Sequence, residues 1–242
     1  MQIPSAALAA LAVVLVLLPP AAAAPVSLFG TVEFRTPSLT ALPQWQEALR
    51  AIEAEHPIYE ACARQADECP SQSVLAWQAM IRDQLGRPKI DQLVAVNRFL
   101  NTWTYRSDLD NYGRRDYWAT PLEFFRNSGD CEDYAIAKYV TLRQLDFSPE
   151  ELRLVVVRDL VREIAHAVLA VYVDRRIYIL DNLTSAVLPH EQVRHYVPYY
   201  STNESARWAH VTPLEPPATA ATATRVVPSA RVTRGAGIPP SP

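Results

Sequence analysis

Apolar positions recur at helical spacing through the first half of the chain and at strand spacing through the second. Between residues 42 and 101, Trp45, Leu49 and Ile52 form one helical stripe, and Val74, Trp77 and Ile81 form another. Gly86 is a stop signal for the second helix. Pro88 opens a third, whose face carries Ile90, Leu93, Asn97 and Leu100. Such stripes predict core rather than binding surface, and Asn97 and Asn101, one helical turn apart, are expected to be structural.

Residues 105–120 show neither period and read as a polar, aromatic-rich loop, with Thr120 placed to cap a short segment after it. A further helix is predicted over 131–145. Asp130 is its N-cap, Asp133 completes a capping-box arrangement, and Ile136, Tyr139 and Val140 face the core. The period then changes to that of strands over 152–157, 165–173 and 176–180, with Asp174 and Arg175 at a turn.

Outside these elements, residues 24–41 read as extended and weakly ordered, and residues 190–210 as polar and aromatic. From 211 to 242 Pro, Ala, Thr and Ser dominate, a composition that cannot supply a core and predicts a disordered tail. Helices followed by hairpin strands imply an α+β domain over 42–210, its helical half packed on a small antiparallel sheet. No internal repeat is present.

Composition narrows the classes. Hydrophobic residues make up 49% of the 242, enough for a sizeable core. A formal net charge of -3 and the lack of a basic stripe argue against nucleic acid. The apolar run from Ala6 to Leu18, then Pro19-Pro20 and Ala21 to Ala24, reads as an export signal over 1–23, cleaved after Ala23. The run is shorter than the span of about 20 residues a membrane helix needs, although an uncleaved anchor is the competing reading. Only the α-amino group supplies positive charge ahead of it.

The three cysteines fit export. Cys62 and Cys69 are close in sequence and expected to pair in an oxidising compartment, which leaves Cys131 as a free thiol. Cys131 lies at a helix N-terminus, where unpaired N–H groups favour a thiolate, yet Asp130, Glu132 and Asp133 oppose one. Two readings of these acids stay open. They favour the helix terminus and do nothing else, or they hold Ca²⁺ beside the nucleophile, with a backbone carbonyl or the Asn182 side chain adding oxygen. Zinc fits less well, because no second Cys or His stands at ligand spacing.

His166 opens one strand and Asp181 closes the next. With a two-residue turn at Asp174-Arg175, His166 lies opposite Leu183 and Asp181 is its diagonal neighbour on one face. A turn at Val173-Asp174 makes the two face each other directly. Packing the N-terminus of the Cys131 helix near the hairpin end then brings thiol to imidazole. Cys131 is the expected nucleophile, His166 its base and later acid, and Asp181 the group that orients the imidazole. The Cys131 backbone N–H is a candidate oxyanion donor.

Four blocks, Tyr117-Trp118-Ala119-Thr120-Pro121-Leu122-Glu123, Gly129-Asp130-Cys131-Glu132-Asp133-Tyr134-Ala135, Ala165-His166-Ala167-Val168-Leu169 and Leu180-Asp181-Asn182-Leu183, resemble the bacterial transglutaminase-like cysteine proteinases. The likeness is to their LapG-type periplasmic members in particular, over about residues 42–200. It implies a papain-like, transglutaminase-type α+β fold, a Cys131–His166–Asp181 triad, and Ca²⁺ held by acids matching Asp130 and Glu132, with Asp133 beside them.

The resemblance also implies a periplasmic endopeptidase. Its substrate would be the N-terminal region of a large surface adhesin, often cut at an Ala-Ala bond, and the cut would release cells from a biofilm. Its partner would be the periplasmic domain of an inner-membrane cyclic-di-GMP receptor, with Trp118 a candidate on the partner-facing surface. The same triad would serve acyl transfer to an amine or a peptidoglycan amidase, and a non-catalytic calcium-dependent binding module is the reading from another class.

Overall fold

The computed structural model describes residues 27–213. Three long helices follow one another in the first half of the chain: α1 (Pro43–Arg64), α2 (Gln72–Gln84) and α3 (Lys89–Leu100). Trp45, Trp77, Leu93 and Leu100 are fully buried, as the stripes predict, but Ile90 stands 38% exposed and leaves the expected face. Gly86 adopts φ 73° just past α2, a left-handed conformation that glycine reaches without strain. Cys62, at the end of α1, is joined to Cys69 with their Cα atoms 4.3 Å apart.

The polar stretch from Tyr105 holds a short helix, α4 (Asp108–Tyr112), and leads to α5 (Pro121–Asn127). Thr120 caps α5 in a capping box, its hydroxyl accepting from Glu123 N–H while the Glu123 carboxylate accepts from Thr120 N–H. Helix α6 (Cys131–Gln144) follows. It is buried on every side from Asp133 to Leu142, not along the single stripe expected. The sheet covers one side, and α3 and α5 cover the other.

Among the described residues, seven strands form one antiparallel sheet: β1 (Val32–Thr36), β2 (Leu152–Asp159), β3 (Ile164–Val173), β4 (Arg176–Asp181), β5 (Thr184–Pro189), β6 (Tyr196–Thr202) and β7 (Arg207–Val211). Their spatial order is β1-β7-β6-β2-β3-β4-β5. The sheet is therefore larger than expected. The segment read as weakly ordered supplies β1, paired with β7, and the polar, aromatic stretch before residue 211 supplies β6 and β7. Tyr, Trp and Val carry those strands, where strict alternation is blurred by Pro198 and polar inward positions such as Ser201. The signal proposed over 1–23 and residues 214–242 of the tail lie outside the described residues.

Strand alternation separates two apolar layers. Leu169, Val171 and Val173 pack with the helices, whereas Val168, Ala170, Ile177 and Ile179 pack on the opposite face with Leu28, Val193 and Tyr196. Among the described residues, no helix is long and apolar enough to cross a membrane.

Candidate active site

The β3–β4 turn fixes the first pair. Val173 pairs with Arg176, so Asp174 and Arg175 form the two-residue turn, and both have positive φ (47° and 64°). A type I′ turn requires this, and its twist matches that of the strands it joins. Leu169 pairs with Leu180, so continuing the register sets His166 opposite Leu183, with Asp181 diagonal to it. The diagonal is short enough for a bond: His166 Nε2 lies 2.9 Å from Asp181 Oδ1. Both side chains are about 5% exposed. By alternation they belong to the sheet face opposite α6.

Cys131 and His166 line one cleft of about 400 Å³, together with Ala167, Trp118, Glu132 and Tyr200 among others, and the thiol is hydrogen-bonded to Glu132 rather than to the imidazole. Cys131 is the free cysteine and is partly exposed. The chain enters α6 through Ser128 (φ 63°) and Gly129. A Cβ on Gly129 would lie 2.3 Å from Asp133 Oδ2, so only glycine lets the strand-like entry pass so near that carboxylate. Arg106 N–H donates to Gly129 O at 2.8 Å, tying the upstream loop to the entry.

The acids divide into holders and free oxygens. Asp133, fully buried, accepts from Ala119 N–H at 2.7 Å and from Asp130 N–H at 3.1 Å, so it joins the Trp118 loop to the start of α6. Glu132 accepts the Cys131 thiol proton, with Sγ 3.0 Å from Oε2. Asp108, which nothing in the sequence singled out within its acidic loop, is 2% exposed and accepts from Tyr117 N–H at 2.5 Å. Its Oδ1 and the Oδ1 of Asp130 are buried without hydrogen-bond partners.

Carboxylate oxygens of Asp108, Asp130 and Asp133 lie within 4.8 Å of one another, as do those of Asp108, Asp116 and Glu132. Burial, then the neighbouring carboxylates, push Asp130 up to about 9. Burial and Glu132 likewise raise Asp133 to about 8, against the two N–H groups it accepts. Burial also raises Asp108 to about 6. The Cys131 thiol is pushed well above its ordinary range by burial first and Glu132 next. A cluster of hard oxygen donors with unpartnered buried oxygens and too much negative charge fits a calcium-type cation.

The remaining expected residues fall as follows. Asn182 occupies the β4–β5 turn next to Asp181 and does not line the cleft; its Oδ1 is buried without a hydrogen-bond partner. Trp118 lines the cleft, its indole N–H donating to Asp116 Oδ1 at 3.0 Å and its ring 6.0 Å from that of Trp45. Asn97 and Asn101 are structural as expected, but Asn101 does more than brace a helix: its Nδ2 donates to Asp181 O at 2.8 Å.

Asp181 is held below the usual carboxylate range: burial alone would raise it, but His166 and the Tyr196 hydroxyl outweigh that. Lys138, fully buried two turns along α6 from Cys131, is lowered by burial to about 7, with Asp181 opposing. Neither Tyr196 nor Lys138 carries a signal in the sequence, since each reads as an ordinary strand or helix position.

A family model described as bacterial transglutaminase-like cysteine proteinase matches residues 51–215. Calcium-bound LapG of Legionella pneumophila is 34% identical with a TM-score of 0.53, over 57% of this chain and 78% of that one. Legionella pneumophila LapG in a second structure is 32% identical with a TM-score of 0.56, over 62% and 87%. An EGTA-treated form gives 32% and 0.56, over 62% and 84%. Among curated proteins none matches the chain. The α+β arrangement is thus one that this chain shares with LapG, and its family is transglutaminase-like, as the resemblance implied.

Proposed function

Because the chain belongs to the bacterial transglutaminase-like cysteine proteinases, we propose that it is a calcium-dependent cysteine endopeptidase with Cys131 as nucleophile, His166 as base and acid, and Asp181 as the orienting carboxylate. The observation that carries this reading is the 2.9 Å bond between His166 Nε2 and Asp181, made at the wall of the cleft that the one free thiol enters.

With Nε2 engaged by Asp181, Nδ1 is the ring nitrogen left to take the Cys131 proton. The thiolate attacks the scissile carbonyl carbon. The Cys131 N–H, at the first position of α6 where no intrahelical acceptor exists, donates to the oxyanion. The imidazolium returns its proton to the leaving amine as the C–N bond breaks. Water, deprotonated by the same imidazole, then cleaves the thioester and restores the thiol.

Oxygens of Asp108 with Asp130 and Asp133, or of Asp108 with Asp116 and Glu132, would hold the calcium ion, and Asp133 also fixes the backbone behind them. A bound calcium ion supplies positive charge beside a thiol that these acids otherwise keep protonated. The calcium-bound and EGTA-treated relatives support calcium as the ion. The same resemblance supports export to the periplasm, an adhesin N-terminal region as substrate with control of biofilm retention, and a cyclic-di-GMP receptor's periplasmic domain as partner, covering Trp118 at the cleft.

Cys131→Ala should abolish cleavage of an adhesin N-terminal fragment and leave the thermal midpoint in place. Cleavage retained by that variant would end the protease assignment. EGTA should silence the parent enzyme, and indifference to it would remove calcium from the reading.

A further inference from the structure

His166 uses one oxygen of Asp181. The other is taken by a residue from a different part of the sheet: Tyr196 OH donates to Asp181 Oδ2 at 2.6 Å. Leu183 N–H donates to Oδ1 at 3.0 Å beside the histidine. The Tyr196 ring, 4% exposed, also lies against the imidazole, with centroids 5.6 Å apart. A single side chain therefore touches both members of the pair.

Tyr196 is itself backed by the N-terminal segment. The Phe29 ring meets it edge-on at 6.4 Å. Phe29 is anchored on both sides: its N–H donates to His190 Nδ1 at 3.0 Å, and the neighbouring Leu28 is fully buried among Val155, Val168 and Val193. The segment that the sequence marks as weakly ordered thus places Phe29 one ring away from the orienting carboxylate.

We propose that Tyr196 is a positioning residue for the His166–Asp181 pair, and that Phe29 sets Tyr196 in place. The proposal rests on the catalytic roles assigned above. An aspartate carboxylate turns easily about its terminal torsion, a broad two-fold rotor. Donors on both oxygens fix its plane, and the plane fixes the direction of the imidazole. The Tyr196 bond, made to an ionised acceptor, belongs to the strong class. Without it Oδ2 keeps its burial and loses its partner, so the carboxylate swings and carries the ring off the thiol. Loss of Phe29 loosens Tyr196 but leaves the hydroxyl bond, so its effect is smaller and in the same direction.

The test uses the full chain as Tyr196→Phe, Phe29→Ala and the double variant, with Asp181→Ala and Cys131→Ala alongside. In ¹⁵N-histidine NMR the parent should show a His166 Nε2–H protected from exchange with water, and Asp181→Ala should abolish that protection. Tyr196→Phe should speed the exchange about tenfold. With an internally quenched peptide centred on an Ala-Ala bond, kcat should fall about tenfold with KM within about twofold. Phe29→Ala should cost about threefold, and the double variant no more than Tyr196→Phe alone.

A Tyr196→Phe protein with parental exchange overturns the proposal, and so does a kcat loss that only follows a fall in thermal midpoint. Peptide cleavage surviving in Cys131→Ala would instead sink the triad reading, while the histidine signal reports on Tyr196 independently of turnover.

Discussion

Glu132 holds the Cys131 proton through the same carboxylate that would hold a cation, so the charge state of the acidic cluster decides what the thiol can do. Its sign can be read in stability. Asp130 in the native protein is raised to about 9 from 3.8. Folding therefore favours the protonated carboxyl relative to the unfolded chain. A group shifted this way contributes stability that is fully present below 3.8 and is lost as pH rises toward about 9. In EGTA, the thermal midpoint should therefore fall from pH 5 to pH 9 more steeply in the parent than in Asp130→Asn, which keeps the size of the side chain without its charge. Equal slopes would mean that the carboxyl is not strained. Asp108→Asn should weaken calcium binding about tenfold or more by calorimetric titration, since it removes one charge-bearing ligand. Cys131, His166, Asp181 and the acids around the thiol were legible because each is a chemical type at a telling place. Asp108 was not, because only folding brings α4 against the start of α6.

Secondary-structure elements set how closely these groups approach. The two-residue turn at Asp174-Arg175 was legible from period and turn chemistry, and through it the diagonal relation of His166 to Asp181. The burial of α6 on all sides was not, since its sequence alternates Lys138 and Thr141 with apolar positions and reads as a one-sided helix. Lys138 and Thr141 are nonetheless fully buried, Thr141 accepting from the Trp77 indole N–H at 2.8 Å. The entry to α6 has no room to spare. Gly129→Ala would drive a methyl group into Asp133 and separate the Ala119 loop from the nucleophile. It should cost about 1–3 kcal/mol in urea unfolding and most of the activity. A variant as stable and active as the parent would show that the entry can shift. Thr120→Ala, which removes the α5 cap, should cost about 1 kcal/mol and spare the histidine pair.

At the scale of the molecule, a helical layer and a seven-stranded sheet share one core, and a second apolar layer lies beneath the sheet. The helical half and the central hairpin were legible from periodicity. The sheet's other edge was not, because β1 and β7 are short and their pairing is non-local. The Cys62–Cys69 link ties the end of α1 to the following loop, away from the cleft. Replacing both cysteines with serine should lower unfolding free energy by about 2 kcal/mol and leave the cleavage rate per folded molecule unchanged. A larger loss confined to activity would place the link in the mechanism. The union of β1 with β7 has a consequence for the order of events. The first strand must wait, through nearly the whole length of the domain, for the last one to arrive. A chain interrupted before Arg207 can hold every residue of the reaction and still lack the partner that draws its beginning into register.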